Sequence, residues 1–134
     1  MGTKSRIIVH CRDQRWRRTR YGFDGQITFT GRMLHQNYNS QEAADELVML
    51  GDIESFEKTI AESKFYHRDH GRSLLIPNAE TLEAAWGNDP DPADFTYAWM
   101  DGCWHVADLQ KQEQLTRLDD PFISRVYQAE RGED

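Results

Sequence analysis

The sequence predicts an α+β fold in one domain, residues 1–134: a small antiparallel sheet of four to five strands with three to five short helices packed on one face. Three observations carry this. Residues 5–10 (Ser-Arg-Ile-Ile-Val-His) form a β-branched run that ends in a polar turn at Arg12–Arg15. Asp101-Gly102 sits between Phe95–Met100 and Cys103–Ala107, the two-residue signature of a type I′ hairpin. Between these lie short stretches with helical spacing and recognisable caps.

In chain order, Trp16 to Phe23 is expected to fold back on 5–10 as a hairpin. Its residues do not sort by polarity, since Trp16, Arg18 and Arg20 share one face and Arg17, Thr19 and Tyr21 the other. Gly22, Gly25 and Gly31 punctuate a loop, after which Thr30 can cap a short helix with Met33, Leu34 and Tyr38. Ser40 is the expected N-cap of a helix carrying Ala43, Ala44, Leu47 and Val48, with Gly51 beyond its end. Asp52 then caps a second helix with Ile53, Phe56 and Ile60 as its stripe. Residues 64–69 read as a strand leading to a turn at Gly71. Asn78 is the expected cap of a helix with Leu82, Ala85 and Trp86, closed by Gly87. Asn88–Asp94 is an acidic loop that Pro90 and Pro92 keep non-helical. Asp120-Pro121 caps a last helix whose stripe is Ile123, Val126 and Tyr127.

Charge divides the chain. Eight of the sixteen Lys/Arg but only two of the twenty-three Asp/Glu fall within residues 1–32. That segment is therefore +6, and residues 33–134, with eight bases and twenty-one acids, are −13, for −7 overall. Two candidate surfaces of opposite sign follow. Apolar content of 38% with four Trp, five Tyr and six Phe suffices for a core in 134 residues. No apolar run approaches the ~18 residues that span a bilayer, and the first residues lack a signal-peptide pattern. A cytoplasmic setting with Cys11 and Cys103 as reduced thiols is expected.

Five blocks, in order, resemble a family of small, largely uncharacterised bacteriophage and prophage proteins. Gly2-Thr3-Lys4-Ser5-Arg6-Ile7 is similar to the family's Gly-Thr-Arg-Ser-Arg-Ile start. Phe23-Asp24-Gly25, followed by Gly31, Leu34 and Asn37-Tyr38, resembles its Trp-Asp-Gly-Tyr loop and adjoining helix, departing from it at Phe23 and Gln26. Leu50-Gly51-Asp52-Ile53-Glu54-Ser55 is similar to its Leu-Gly-Asp-x-Ser joint, and Phe65–Gly71 to its Phe-Tyr-x-Arg-Asp-x-Gly segment. Met100–Val106 resembles its Asp-Gly-x-Trp-Tyr-Val hairpin. The resemblance spans about residues 2–108. It implies a phage accessory protein acting inside a bacterial host cell, where such proteins commonly bind and disable one host component.

Catalytic patterns are weak by comparison. His67 and His70 lie three apart on a strand-to-turn segment, which does not bring both imidazoles onto one metal as helical i, i+4 spacing would. Cys103 and His105 share a strand face, but no acid that would orient the imidazole is apparent. His10 and Cys11 point to opposite faces. No metal, no cofactor and no enzymatic activity are therefore expected, with a small hydrolase or nuclease as the second alternative.

The expected function is inhibition of a host protein or ribonucleoprotein complex by occlusion, counter-defence of the anti-CRISPR kind being the leading example. The expected partner surface is acidic: Glu42, Asp45 and Glu46 on one helix, Glu54 and Glu57 on the next, and Asp89, Asp91 and Asp94 in the proline loop. The alternative is direct nucleic-acid binding by Arg12, Arg15, Trp16, Arg17, Arg18 and Arg20, where arginines interleave with aromatics as on a phosphate-and-base platform. No membrane partner is expected, and self-association is left open.

Overall fold

The structure is a computed structural model that describes residues 2–71, 78–87, 92–108 and 114–130. In chain order it runs β1 (Ser5–His10), β2 (Trp16–Tyr21), a π-helical turn (Ile27–Gly31), α1 (Arg32–Asn37), α2 (Gln41–Leu47), β3 (Ile53–Ser55) and β4 (Lys64–Phe65). It continues with α3 (Tyr66–His70), β5 (Asn78–Ala79), α4 (Leu82–Gly87), β6 (Phe95–Met100), β7 (Cys103–Asp108), β8 (Thr116–Arg117) and α5 (Asp120–Glu130).

The expected sheet of four to five antiparallel strands is corrected: eight strands form one mixed sheet in the order β4-β3-β2-β1-β6-β7-β8, with β5 also on β2. Hairpins β1–β2 and β6–β7 are antiparallel, as their short turns require. β1 and β6 instead run parallel, Ile7 beside Tyr97 and Val9 beside Trp99, as do β2 and β3 at Tyr21 and Ile53. The long connection from β2 to β6 permits the parallel central pair, because it returns the chain to the same end of the sheet. The β6–β7 turn has positive φ at both Asp101 (55°) and Gly102 (78°), the type I′ conformation.

Alternation along the strands puts Ile7, Val9, Tyr21, Tyr97, Trp99, Trp104 and Val106 on one face. There they form the main core with Leu34, Tyr38, Leu47, Phe56 and Ile123 from the covering segments. Trp99 and Trp104 meet edge-on at 5.4 Å, and the Trp104 Nε1–H donates to the Tyr38 carbonyl at 3.1 Å. The opposite face carries a smaller cluster of Ile8, Ala79, Ala85, Trp86 and Ala107, covered by α4. Helices therefore pack on both faces, a second correction. Arg6 lies buried there, donating to Thr96 Oγ1 at 3.0 Å with its guanidinium 5.8 Å from the Trp86 ring centroid.

Ser40 caps α2 as expected, its Oγ accepting from the Ala43 N–H at 3.1 Å. Other elements differ from expectation. Ile53–Ser55 is a strand rather than a helix, because Ile53 finds Tyr21 on one side and Phe65 on the other. Of residues 64–69, only Lys64 and Phe65 are extended; Tyr66 onward is helical and ends at left-handed Gly71. The N-cap of α4 is Thr81, whose Oγ1 accepts from the Ala84 N–H, while Asn78 lies in β5. Asp119, one residue earlier than expected, caps α5 through the Phe122 N–H at 2.9 Å. Thr30 caps nothing, and its hydroxyl donates to the Asp24 carbonyl at 2.6 Å.

Candidate functional site: an acidic surface and a committed arginine hairpin

The six residues of the basic hairpin are held in intramolecular contacts. Arg17 grips Asp13 at two points, 2.9 and 2.8 Å. Arg12 pairs with Asp45 at 3.4 Å. Arg15 donates twice to Asn78 Oδ1, at 3.0 and 2.6 Å, and lies 3.5 Å from Glu80. On the α4 side of the sheet, Arg18 donates to the Ala85 carbonyl at 3.2 Å and Arg20 to the Pro92 carbonyl at 2.7 Å. Trp16 stacks on His10 at 4.2 Å, the rings within 6° of parallel. Each guanidinium is thus engaged within the chain, and using one on a phosphate would mean breaking or sharing these bonds.

The acidic candidates separate into three groups. Asp45 accepts from Gln41 Nε2 at 2.8 Å as well as pairing with Arg12, Glu54 pairs with His70, and Asp94 accepts from the Lys4 N–H at 2.8 Å. These three hold the structure together. Asp89 and Asp91 lie outside the described residues. Glu42 and Glu46 on α2, and Glu57 in the segment after β3, are exposed.

The Tyr38 hydroxyl reaches the segment after β3 at Glu57. That hydroxyl donates to the Glu57 carbonyl at 2.7 Å. Burial pushes the Tyr38 phenol above its ordinary pKa, a hydrogen bond with Ser63 opposes this, and the charges of Glu62, Glu46 and Glu57 raise it further. Charges on α2 and on the segment after β3 therefore act on the same hydroxyl. The fold brings them there through the Ser40 cap, which sets α2, and through Ser63, whose Oγ accepts from the Glu57 N–H at 2.8 Å and donates to the Thr59 carbonyl at 2.8 Å. Thr59 in turn donates to Glu62 Oε1 at 2.9 Å.

Beside these residues a groove of about 520 Å³ is lined by Tyr38, Ala43, Glu46, Lys58 and Ile60, among others. Arg68, also at its edge, is bound to Asp69 and to the carbonyls of Ile60 and Ser63. The groove is concave and partly apolar, and its charged lining is Glu46, Lys58 and Arg68, so the acidic character belongs to the exposed surface beside it, at Glu42, Glu57 and Glu62. Glu57, expected on a helix, lies instead in the segment after β3, and Tyr38, expected only to pack, also donates to the Glu57 carbonyl. The missing signal was the extended pairing of Ile53, which turns the segment after it back toward α2.

Cys103 Sγ lies 3.9 Å from His105 Nε2, and the other ring nitrogen, Nδ1, is buried with no partner among the described residues. The imidazole thus lacks the orienting acceptor that a Cys–His dyad uses. Among the described residues no three His, Cys, Asp or Glu side chains group as a metal site, and no helix is long and apolar enough to cross a membrane. No family model, no curated protein and no solved structure matches the chain.

Proposed function

We propose that this protein is a phage-encoded inhibitor that binds a host protein or ribonucleoprotein complex stoichiometrically, through the acidic surface beside Tyr38, and blocks a site meant for DNA or RNA. One observation carries the reading. Glu46, Glu57 and Glu62 are exposed and the charge of each raises the Tyr38 phenol pKa, whereas the hairpin arginines are engaged within the chain. Carboxylates arranged this way compete with phosphates for a basic groove, raise the association rate and make binding sensitive to salt. The ordered blocks resembling phage and prophage proteins support a role in the host cytoplasm. Counter-defence against a CRISPR complex is the leading example.

The test is phage plating on bacteria with active CRISPR immunity. Expression of the protein is expected to restore plaques, and Glu46→Lys/Glu57→Lys/Glu62→Lys to abolish the effect while keeping the melting temperature. Failure to restore plaques against every CRISPR type assayed would overturn the counter-defence reading.

A further inference from the structure

The β6–β7 hairpin carries three soft donor atoms on one face. Met100 stands directly opposite Cys103 and Ala98 opposite His105, so Met100, Cys103 and His105 share one side of the sheet. It is the side of Ile8 and Ala107, since Trp99 and Trp104 turn the other way into the main core. The type I′ turn at Asp101-Gly102 fixes Met100 and Cys103 as cross-strand neighbours, with Cβ atoms about 4.5–5.5 Å apart.

Two of the three atoms are already side by side. Cys103 Sγ lies 3.9 Å from His105 Nε2, which is long for a hydrogen bond. The separation suits a single ion between them, because bonds of about 2.3 Å to sulfur and about 2.0 Å to nitrogen together span at most about 4.3 Å. Among the described residues neither side chain has another hydrogen bond or ion pair, and Met100 has none. All three are half-buried, open to a small ion and partly sheltered from water. His10 lies on the same face, but its ring is stacked on Trp16 at 4.2 Å and is not one of the donors.

The donor set defines the ion. A thiolate, a thioether and an imidazole are soft or borderline ligands of the kind that select copper(I). Zinc draws its four ligands from Cys, His, Asp and Glu, and a thioether is not among them. Charge points the same way. Arg117 stands opposite His105 in the β7–β8 ladder, and a cation there favours the thiolate and disfavours a doubly charged ion. A monovalent ion and the thiolate make a neutral unit, which a half-buried position tolerates best. We infer that Met100, Cys103 and His105 bind one copper(I) ion through Sδ, Sγ and Nε2. The Cys103 thiol releases its proton to solvent as the sulfur–copper bond forms, and copper keeps its +1 state throughout.

The full chain is titrated without oxygen, in ascorbate, with copper(I) supplied as its coloured bicinchoninate complex. Transfer of one equivalent per chain is expected, with movement of the Met100 methyl and His105 ring signals in NMR spectra and protection of Cys103 from a maleimide. Cys103→Ser is expected to abolish the transfer and Cys11→Ser to leave it intact. Met100→Leu conserves volume and is expected to weaken binding at least about tenfold at unchanged melting temperature. It keeps the test decisive if Cys103→Ser fails to fold. Zinc(II) is expected to move neither NMR signal. No transfer, transfer that persists in Cys103→Ser or is lost in folded Cys11→Ser, affinity unchanged in Met100→Leu, or zinc bound as tightly as copper(I) would each overturn the inference. The triple charge reversal at Glu46, Glu57 and Glu62 is expected to leave copper(I) binding intact, which separates it from the function proposed above.

Discussion

The Arg17 guanidinium holds both carboxylate oxygens of Asp13, at 2.9 and 2.8 Å, four residues away across the β1–β2 turn. The bond is intramolecular, so the most basic segment of the chain spends charge on its own turn. It also has a titration signature. The Arg17 contact, helped by the Arg15 N–H, lowers the Asp13 pKa from 3.8 to about 2.

A carboxylate with a depressed folded-state pKa adds stability above its unfolded value and loses it as pH falls through the folded one. The Asp13 contribution is thus complete above 3.8 and disappears as pH drops through about 2. An NMR titration of the Asp13 carboxyl is expected to show its midpoint near the lower value, and Arg17→Ala to move it back toward 3.8. An unmoved midpoint would mean that the clasp does not persist in solution.

Gly51 joins α2 to β3 and so sets Glu46 against Glu57. Its φ is +90°, and a Cβ there would fall 2.8 Å from the Cβ of His67. Gly51→Ala is expected to lower stability by about 1–3 kcal/mol, read as a reduced denaturation midpoint with unchanged slope. A neutral result would show that the joint relaxes freely.

Tyr97 reaches across the main core to donate to the Gly25 carbonyl at 2.7 Å, holding the glycine loop against the sheet. Tyr97→Phe keeps the ring and strands that buried carbonyl, so a loss of about 1–3 kcal/mol is expected. Thermal unfolding compared with the parent checks this, and equal stability would contradict it.

The two thiols differ. Cys11 is 6% exposed, and burial pushes its pKa up, opposed in part by a hydrogen bond with Arg17. Cys103 is half-buried beside His105. A maleimide at neutral pH is expected to modify Cys103 first and Cys11 only after unfolding. Equal rates, followed by mass spectrometry, would contradict the burial of Cys11.

Local signals made the two hairpins, the Ser40 cap and the stripe of the last helix legible in the sequence. What escaped was built from partners far apart in the chain. Ile53 is extended only because Tyr21 and Phe65 flank it, and β1 joins β6 across some ninety residues. Strands of two residues such as β4, β5 and β8 carry no periodicity to read. The same holds for the surface. Charge counting identified the acidic and basic halves, but not that Arg15 would meet Asn78, that Glu54 would pair with His70, or that the Tyr38 hydroxyl would reach Glu57.

The function proposed above has the acidic surface beside Tyr38, and not the arginine hairpin, meet the partner. The most direct measurement is affinity capture from bacterial lysate at low and moderate salt, followed by binding of the purified captured protein to wild type, Glu46→Lys/Glu57→Lys/Glu62→Lys and Arg15→Ala/Arg18→Ala/Arg20→Ala. Expected are a basic partner whose affinity falls as salt rises, at least about tenfold weaker binding by the Glu46/Glu57/Glu62 variant, and near-normal binding by the arginine variant. Capture of nucleic acid alone, or loss of binding only in the arginine variant, would contradict it.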